Sequence, residues 1–177
     1  MRTFAIVGPE SSGKTTLTEA LAHHYRCAWA KEYARVVLEE DGPDYAEEDL
    51  LAFAQGQLLA LGEAIALAKK TPPPLVFCDT DIITISIWSQ EVYGRCHPLI
   101  DQLAKQVAFD HWFLCKPDIP WEPDPLRVNP HDRDRLFGVY ERTLTELGKP
   151  FSIIEGDHVV RMHTAINRVD AILSGKR

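Results

Sequence analysis

The apolar, β-branched residues 3–7 lead directly into Gly8-Pro9-Glu10-Ser11-Ser12-Gly13-Lys14-Thr15. No other feature restricts the fold as much. G-x-x-x-x-G-K-T is a loop that wraps phosphate. Gly8 and Gly13 let the backbone curl until successive N–H groups point inward as an anion nest. The helix that follows contributes the positive end of its dipole. Lys14 brings a mobile point charge to the β- and γ-phosphates, and Thr15 offers a hydroxyl to Mg²⁺. Glu10, Ser11, Ser12 and Thr16 complete the nucleotide-binding set. The expectation is a protein that binds ATP and Mg²⁺, built around a buried strand that feeds a helix.

The rest of the chain supplies the sheet such a loop requires. Residues 75–78 follow Pro72-Pro73-Pro74 and end at Asp79; residues 111–115 end before Pro117; residues 151–154 follow Gly148-Lys149-Pro150. Residues 27–30 form a weaker fifth run. Near-continuous apolarity over four or five residues suits strands buried on both faces of a parallel sheet. Between them, Leu51, Ala54, Leu58, Leu61, Ile65 and Ala68 step by three and four, as do Met162, Ile166, Val169 and Leu173. Leu136, Val139 or Tyr140, Thr143 and Leu147 make a third helical face. This alternation predicts an α/β fold with a doubly wound, five-stranded parallel sheet and flanking helices. At 177 residues it fits one domain, 1–177. Residues 117–130 hold five prolines, which prevent a regular element. That stretch, taken as about 117–135, is read as a lid loop.

Composition removes several classes. A net charge of −7 argues against a nucleic-acid-binding face. Cys27, Cys78, Cys96 and Cys115 show no paired zinc spacing, and the seven histidines form no His/Cys cluster. Free thiols in apolar runs point to a reducing, cytoplasmic setting. The N-terminus has no signal-peptide pattern, and no apolar run approaches the ~20 residues of a membrane span, so no membrane partner is expected.

Acidic and basic residues at strand ends are the remaining candidates. Asp79 closes an apolar strand, where a P-loop protein places the carboxylate that holds Mg²⁺ or its water shell; the alternative is that Asp79 or Asp81 caps the helix beginning near Ile82. Glu32 ends the second strand, where it would bond a ribose hydroxyl or act as general base; otherwise it pairs with Arg35 along a helix. Arg127 in the Pro-rich loop is placed to meet γ-phosphate charge, whereas Arg133 and Arg135 read as solvated surface. Trp121 either stacks on a flat ring or anchors the loop.

Taken together these residues resemble the ribosylnicotinamide kinase domain of NadR-type NAD biosynthesis proteins. The resemblance spans nearly the whole chain. It rests on the phosphate loop with its Glu-Ser-Ser filling, Glu32-Tyr33-Ala34-Arg35, Phe77-Cys78-Asp79-Thr80-Asp81 with Thr84, Tyr93-Gly94-Arg95 with His97-Pro98, Phe109-Asp110, and Pro120-Trp121 with Asp124 and Leu126-Arg127. It implies a P-loop kinase that moves the γ-phosphate of ATP to the 5′-hydroxyl of nicotinamide riboside. It implies Lys14, Thr15 and Asp79 for ATP·Mg²⁺, with Glu32, Tyr33, Arg35, Asp81 and Trp121 on the nucleoside side and Arg127 as the lid arginine. The general base stays open among Glu32, Asp79 and Asp81. The first strand begins at Thr3, so the preceding domains of larger members are not expected here. A kinase for another small acceptor and a partner-dependent ATPase or nucleotide sensor are the rival readings, and the oligomeric state stays open.

Overall fold

The computed structural model describes residues 1–124 and 131–175. Its strands are β1 (Arg2–Val7), β2 (Ala28–Ala30), β3 (Leu75–Asp79), β4 (His111–Cys115) and β5 (Phe151–Ile154). Its helices are α1 (Lys14–Tyr25), α2 (Tyr33–Asp41), α3 (Asp49–Ala68), α4 (Ile82–Tyr93), α5 (Pro98–Gln106), α6 (Arg133–Glu146) and α7 (His158–Leu173). The strands form one parallel sheet in the order β2-β3-β1-β4-β5. β1 is central, so the phosphate loop leaves the carboxyl end of the middle strand, where ligands of open α/β sheets gather.

Side-chain alternation divides the core. Phe4 and Ile6 of β1 join Phe77, Phe113 and Cys115 on the face covered by α1 and α7. Ala5 and Val7 join Val76, Cys78 and Leu114 on the face covered by α3, α4, α5 and α6. Large rings fill the first face: Phe4 lies 5.5 Å from Phe77 and 5.9 Å from Phe113, centroid to centroid. On the second face small side chains of β1 and β3 lie beside the buried Trp112 of β4.

The ends of the helices follow local chemistry. Asp81 Oδ1 caps α4 by accepting from the Thr84 amide (3.2 Å), and Gly94 ends it in the left-handed region. Pro98 opens α5, with His97 Nδ1 accepting from Leu99 N. Asp157 caps α7. The N-terminus of α1 has no side-chain cap, which leaves its first amides for the phosphate loop to use.

Three expectations need correction. The buried face of α3 is Leu50, Phe53, Ala54, Gly56, Gln57, Ala64 and Ala68, while Leu51, Leu58, Leu61 and Ile65 lie at its margin. α3 is apolar nearly all round, so spacing alone does not choose a face. α3 is also 20 residues long, with a mean hydropathy of 1.5, which satisfies the length and apolarity of a membrane span that the sequence analysis did not find. Here it packs on the sheet through β2 and β3. Finally, α6 begins at Arg133, so the last residues of the span 117–135 read as a loop are helical.

Candidate active site

The loop between β1 and α1 is wound tightly. Ser11 and Gly13 are left-handed (φ 51° and 80°), and a Cβ at Gly8 would lie 2.6 Å from the Cys115 carbonyl oxygen. The glycine at position 8 is therefore dictated by close approach to β4. The Pro9 carbonyl accepts from Ser12 Oγ (2.7 Å) and from Lys14 Nζ (2.9 Å). Lys14 thus folds back on the loop. The chain after β4 and the start of α6 meet the same turn: Glu122 N donates to Ser11 Oγ (3.1 Å), and Arg133 donates to the carbonyls of Ser11 (3.0 Å) and Ile119 (3.2 Å). Arg133 is therefore a brace of the loop rather than solvated surface. Arg135 does lie at the surface, paired with Asp132 and Glu91.

A cavity of about 380 Å³ opens from this loop. Residues 8–16 all line one end. Glu32, Ala34, Arg35 and Leu38 from the start of α2, Tyr45 from the next loop, Thr84, Ile87, Trp88 and Glu91 from α4, and Tyr140 from α6 line the other. Trp88 is fixed on both sides. Its indole N–H donates to Tyr45 Oη (2.8 Å), and its ring stacks on Phe53 (5.9 Å, 19°). Glu32, Glu91 and Glu122 are among its acidic lining residues, and Arg35 is a lining cation. That cation is already bound to Asp124 (2.5 Å) and Glu39 (2.8 Å), so Arg35 ties α2 to the lid instead of pairing with Glu32.

Asp79 lies at the end of β3, beside Ile6 of β1. It is buried, and among the described residues its Oδ1 has no hydrogen-bond partner. It lies behind the cavity lining, next to Thr15 and Lys14. Burial, then the nearby Glu32 charge, raise its carboxyl to about 7; Thr15 and Lys14 act in the opposite direction. A lone buried carboxylate oxygen next to an exposed Thr15 hydroxyl fits a hydrated Mg²⁺, which keeps several waters and takes only one or two protein ligands. Thr80 follows in the left-handed region (φ 61°), an uncommon conformation for a β-branched residue, and turns the chain sharply from Asp79 to the α4 cap.

Three substrate-side expectations are corrected by their surroundings. Asp81 is buried, capping α4 with Oδ1 and accepting from the Trp112 indole N–H with Oδ2 (2.7 Å). Neither oxygen faces the cavity. The Tyr33 ring packs on α3, where a Cβ at Gly56 would come within 2.1 Å of it. Trp121 lies under the Arg133 guanidinium (5.7 Å), which makes it an anchor of the lid. Arg127 lies outside the described residues.

The sequence reading missed Trp88, Tyr45 and Gln57. Gln57 is buried in α3 and joins two strand ends. Its Oε1 accepts from Tyr33 N (2.8 Å), and its Nε2 donates to the carbonyls of Lys31 (3.1 Å) and Asp79 (3.3 Å). This fixes Glu32 opposite Asp79. Polarity alone gave no signal, since α3 also carries Asp49, Gln55 and Glu63.

Comparison with known proteins agrees with this geometry. Residues 3–161 match the family described as AAA domain. The chain is 35% identical over 156 residues to the trifunctional NAD biosynthesis/regulator protein NadR of Salmonella typhimurium, covering 86% of this chain and 37% of that protein. It is 37% identical over 130 residues to the Escherichia coli K12 protein of the same name, covering 72% and 31%. The chain thus spans about a third of the length of these curated relatives. Among solved structures it is similar to a NadR protein in complex with NR (TM-score 0.77, 24% identity, 95% of this chain and 50% of that one). It is also similar to a deoxyadenosine kinase from M. mycoides (TM-score 0.67, 13% identity, 96% and 99%). These structural likenesses show the shared P-loop kinase fold. By its phosphate loop, its sheet order and the match over residues 3–161, the chain belongs to this AAA-domain family.

Proposed function

We propose that the protein is a phosphotransferase that moves the γ-phosphate of ATP to the 5′-hydroxyl of nicotinamide riboside, giving nicotinamide mononucleotide. One observation carries this reading: a single cavity has the phosphate loop at one end and an aromatic, acidic wall of Trp88, Tyr45, Glu32 and Glu91 at the other. Nicotinamide riboside carries a flat cationic ring. Such a ring is attracted by the faces of Trp and Tyr and by nearby carboxylates. The similarity to NadR proteins supports the same acceptor.

In this reading the backbone N–H groups of the loop, all but that of Pro9, which has none, hold the phosphates, and Lys14 swings from the Pro9 carbonyl to the β- and γ-oxygens. Thr15 and Asp79 would hold Mg²⁺, which when bound would supply charge neutralisation on the transferring group. Glu32 takes the proton of the attacking hydroxyl. Asp81 has both oxygens engaged, and Asp79 is turned to Thr15 and Lys14, so of these three carboxylates Glu32 is the one that lines the cavity. The oxygen–γ-phosphorus bond forms as the β–γ bridging bond breaks, and ADP leaves. Arg127 is proposed as the lid cation that meets the developing charge, a role taken from the sequence resemblance.

The test is ADP release with ATP·Mg²⁺ and a panel of nucleosides, with the product identified by mass. Stimulation by nicotinamide riboside with a phosphorylated product is the expected result. Stimulation by another nucleoside would keep the chemistry and replace the substrate, and acceptor-independent release would favour the partner-dependent ATPase.

A further inference from the structure

An anion nest has a structural consequence. When successive amides point inward, the intervening carbonyls point outward and need donors of their own. In this loop Pro9 O is served from within by Ser12 Oγ and Lys14 Nζ, and Ser11 O by Arg133 from the lid base. Ser12 O is served from α7, 149 residues further along the chain, by Arg161 Nη1 at 2.7 Å.

Arg161 is nearly inaccessible, 4% exposed, at the first turn of α7. Its remaining donors reach two neighbouring strand exits. Nε donates to Gly156 O (2.7 Å) after β5, while Nη2 donates to Lys116 O (2.8 Å) and to the Asp118 carboxylate after β4. Asp118 also accepts from Gly156 N (2.7 Å), which joins these two exits directly. One guanidinium therefore gathers three loops at the carboxyl edge of the sheet. Arginine suits this task because its planar fork presents five fixed donors. A lysine keeps the charge and cannot reach the same set.

We infer that Arg161 is a positioning residue for the nucleotide: it holds the Ser12 carbonyl outward and thereby keeps the neighbouring amides aimed at phosphate. The inference rests on the proposed phosphate-binding role of residues 8–16. It concerns the donor end of the cavity and leaves the acceptor end untouched, because Arg161 contacts none of the acceptor-end residues in the bonds above.

The experiment is calorimetric titration of ADP·Mg²⁺ into the whole chain as wild type, Arg161→Lys and Val169→Ala. The last removes buried volume on the same helix, away from the loop. Thermal unfolding is measured on each. Arg161→Lys is expected to raise the ADP dissociation constant about tenfold, the scale of one charge-assisted hydrogen bond. Val169→Ala is expected to bind ADP as the wild type does, even where its melting temperature falls as far. Unchanged ADP affinity in Arg161→Lys would overturn the inference, and so would equal weakening in both variants, which would mark a general effect of a loosened α7. If the lysine variant fails to fold, Arg161→Gln replaces it, since it buries no unpaired charge. Wild-type protein that binds no ADP would remove the nucleotide reading itself, a different result from tight wild-type binding that Arg161→Lys leaves intact.

Discussion

At the phosphate end of the cavity, nine consecutive residues, 8–16, form the wall; at the acceptor end, Glu32, Tyr45, Trp88, Glu91 and Tyr140 arrive from separate stretches of the chain. The first end is made of backbone, with geometry imposed by Gly8, Gly13 and the start of α1. The second is made of side chains whose positions depend on how α2, α4 and α6 pack. The two ends should therefore fail in different ways. A change in the phosphate loop removes the common chemistry, whereas a change in the acceptor wall alters which molecule is held and how well.

Lys14→Ala is the largest test of that division. Phosphoryl transfer should fall by about 10³-fold, the scale of losing a charge aimed at the transition state. The melting temperature should hold, because Lys14 makes one hydrogen bond to its own loop. Near-wild-type turnover would break the donor-end assignment. Next comes Glu32→Gln, which keeps the shape and removes the base. A fall in kcat of about 10²-fold with an unchanged KM for ATP is expected. A raised ATP KM would instead make Glu32 part of the donor end. Trp88→Leu is milder and should raise the KM for a cationic nucleoside about tenfold while leaving ATP KM alone, as one ring–cation contact is worth about 1–2 kcal/mol. Equal effects on cationic and neutral nucleosides would remove the charge argument and leave only shape.

The smallest expected effect on activity lies at the far end of the sheet. His111 opens β4, buried, with Nε2 bonded to Ser152 Oγ (2.8 Å). Burial, then the charge of Arg168, push its imidazole down to about 4 from the ordinary 6.5. The unfolded chain binds a proton below about pH 6.5, and the folded one only below about pH 4. Stability is therefore full above that range and falls as pH drops through it, by at most about 3 kcal/mol. His111→Gln should flatten this part of the pH–stability curve, measured by urea unfolding, with turnover unaltered at neutral pH. An unchanged curve would show that another group drives acid unfolding.

Much of the architecture was legible in the residues. The runs at 75–78, 111–115 and 151–154 became strands, and the helix after the loop spans Lys14–Tyr25. Strands buried on both faces advertise themselves by unbroken apolarity, and the loop by its glycines and lysine. The acceptor side was less readable. Tyr33, Asp81 and Trp121 each carry a functional-looking side chain beside a motif, yet the structure gives them a packing role, a helix cap and a lid anchor. Their chemistry is the same in either role, so only their neighbours could decide between them. Trp88 and Gln57 went unnoticed because they sit in apolar helices and gain meaning only from Tyr45 and from the strand ends they touch.

By itself the sequence determined the phosphate loop, the parallel sheet that carries it and the carboxylate at the end of β3. These depend on local backbone conformation and on apolar runs, both written in neighbouring residues. Tertiary structure alone decided which face of α3 is buried, which carboxylates face the cavity, and that Arg161 reaches across 149 positions to the Ser12 carbonyl. Such contacts join residues distant in the chain, and their existence depends on the packing of the helices against the sheet, a property that no single stretch of sequence contains.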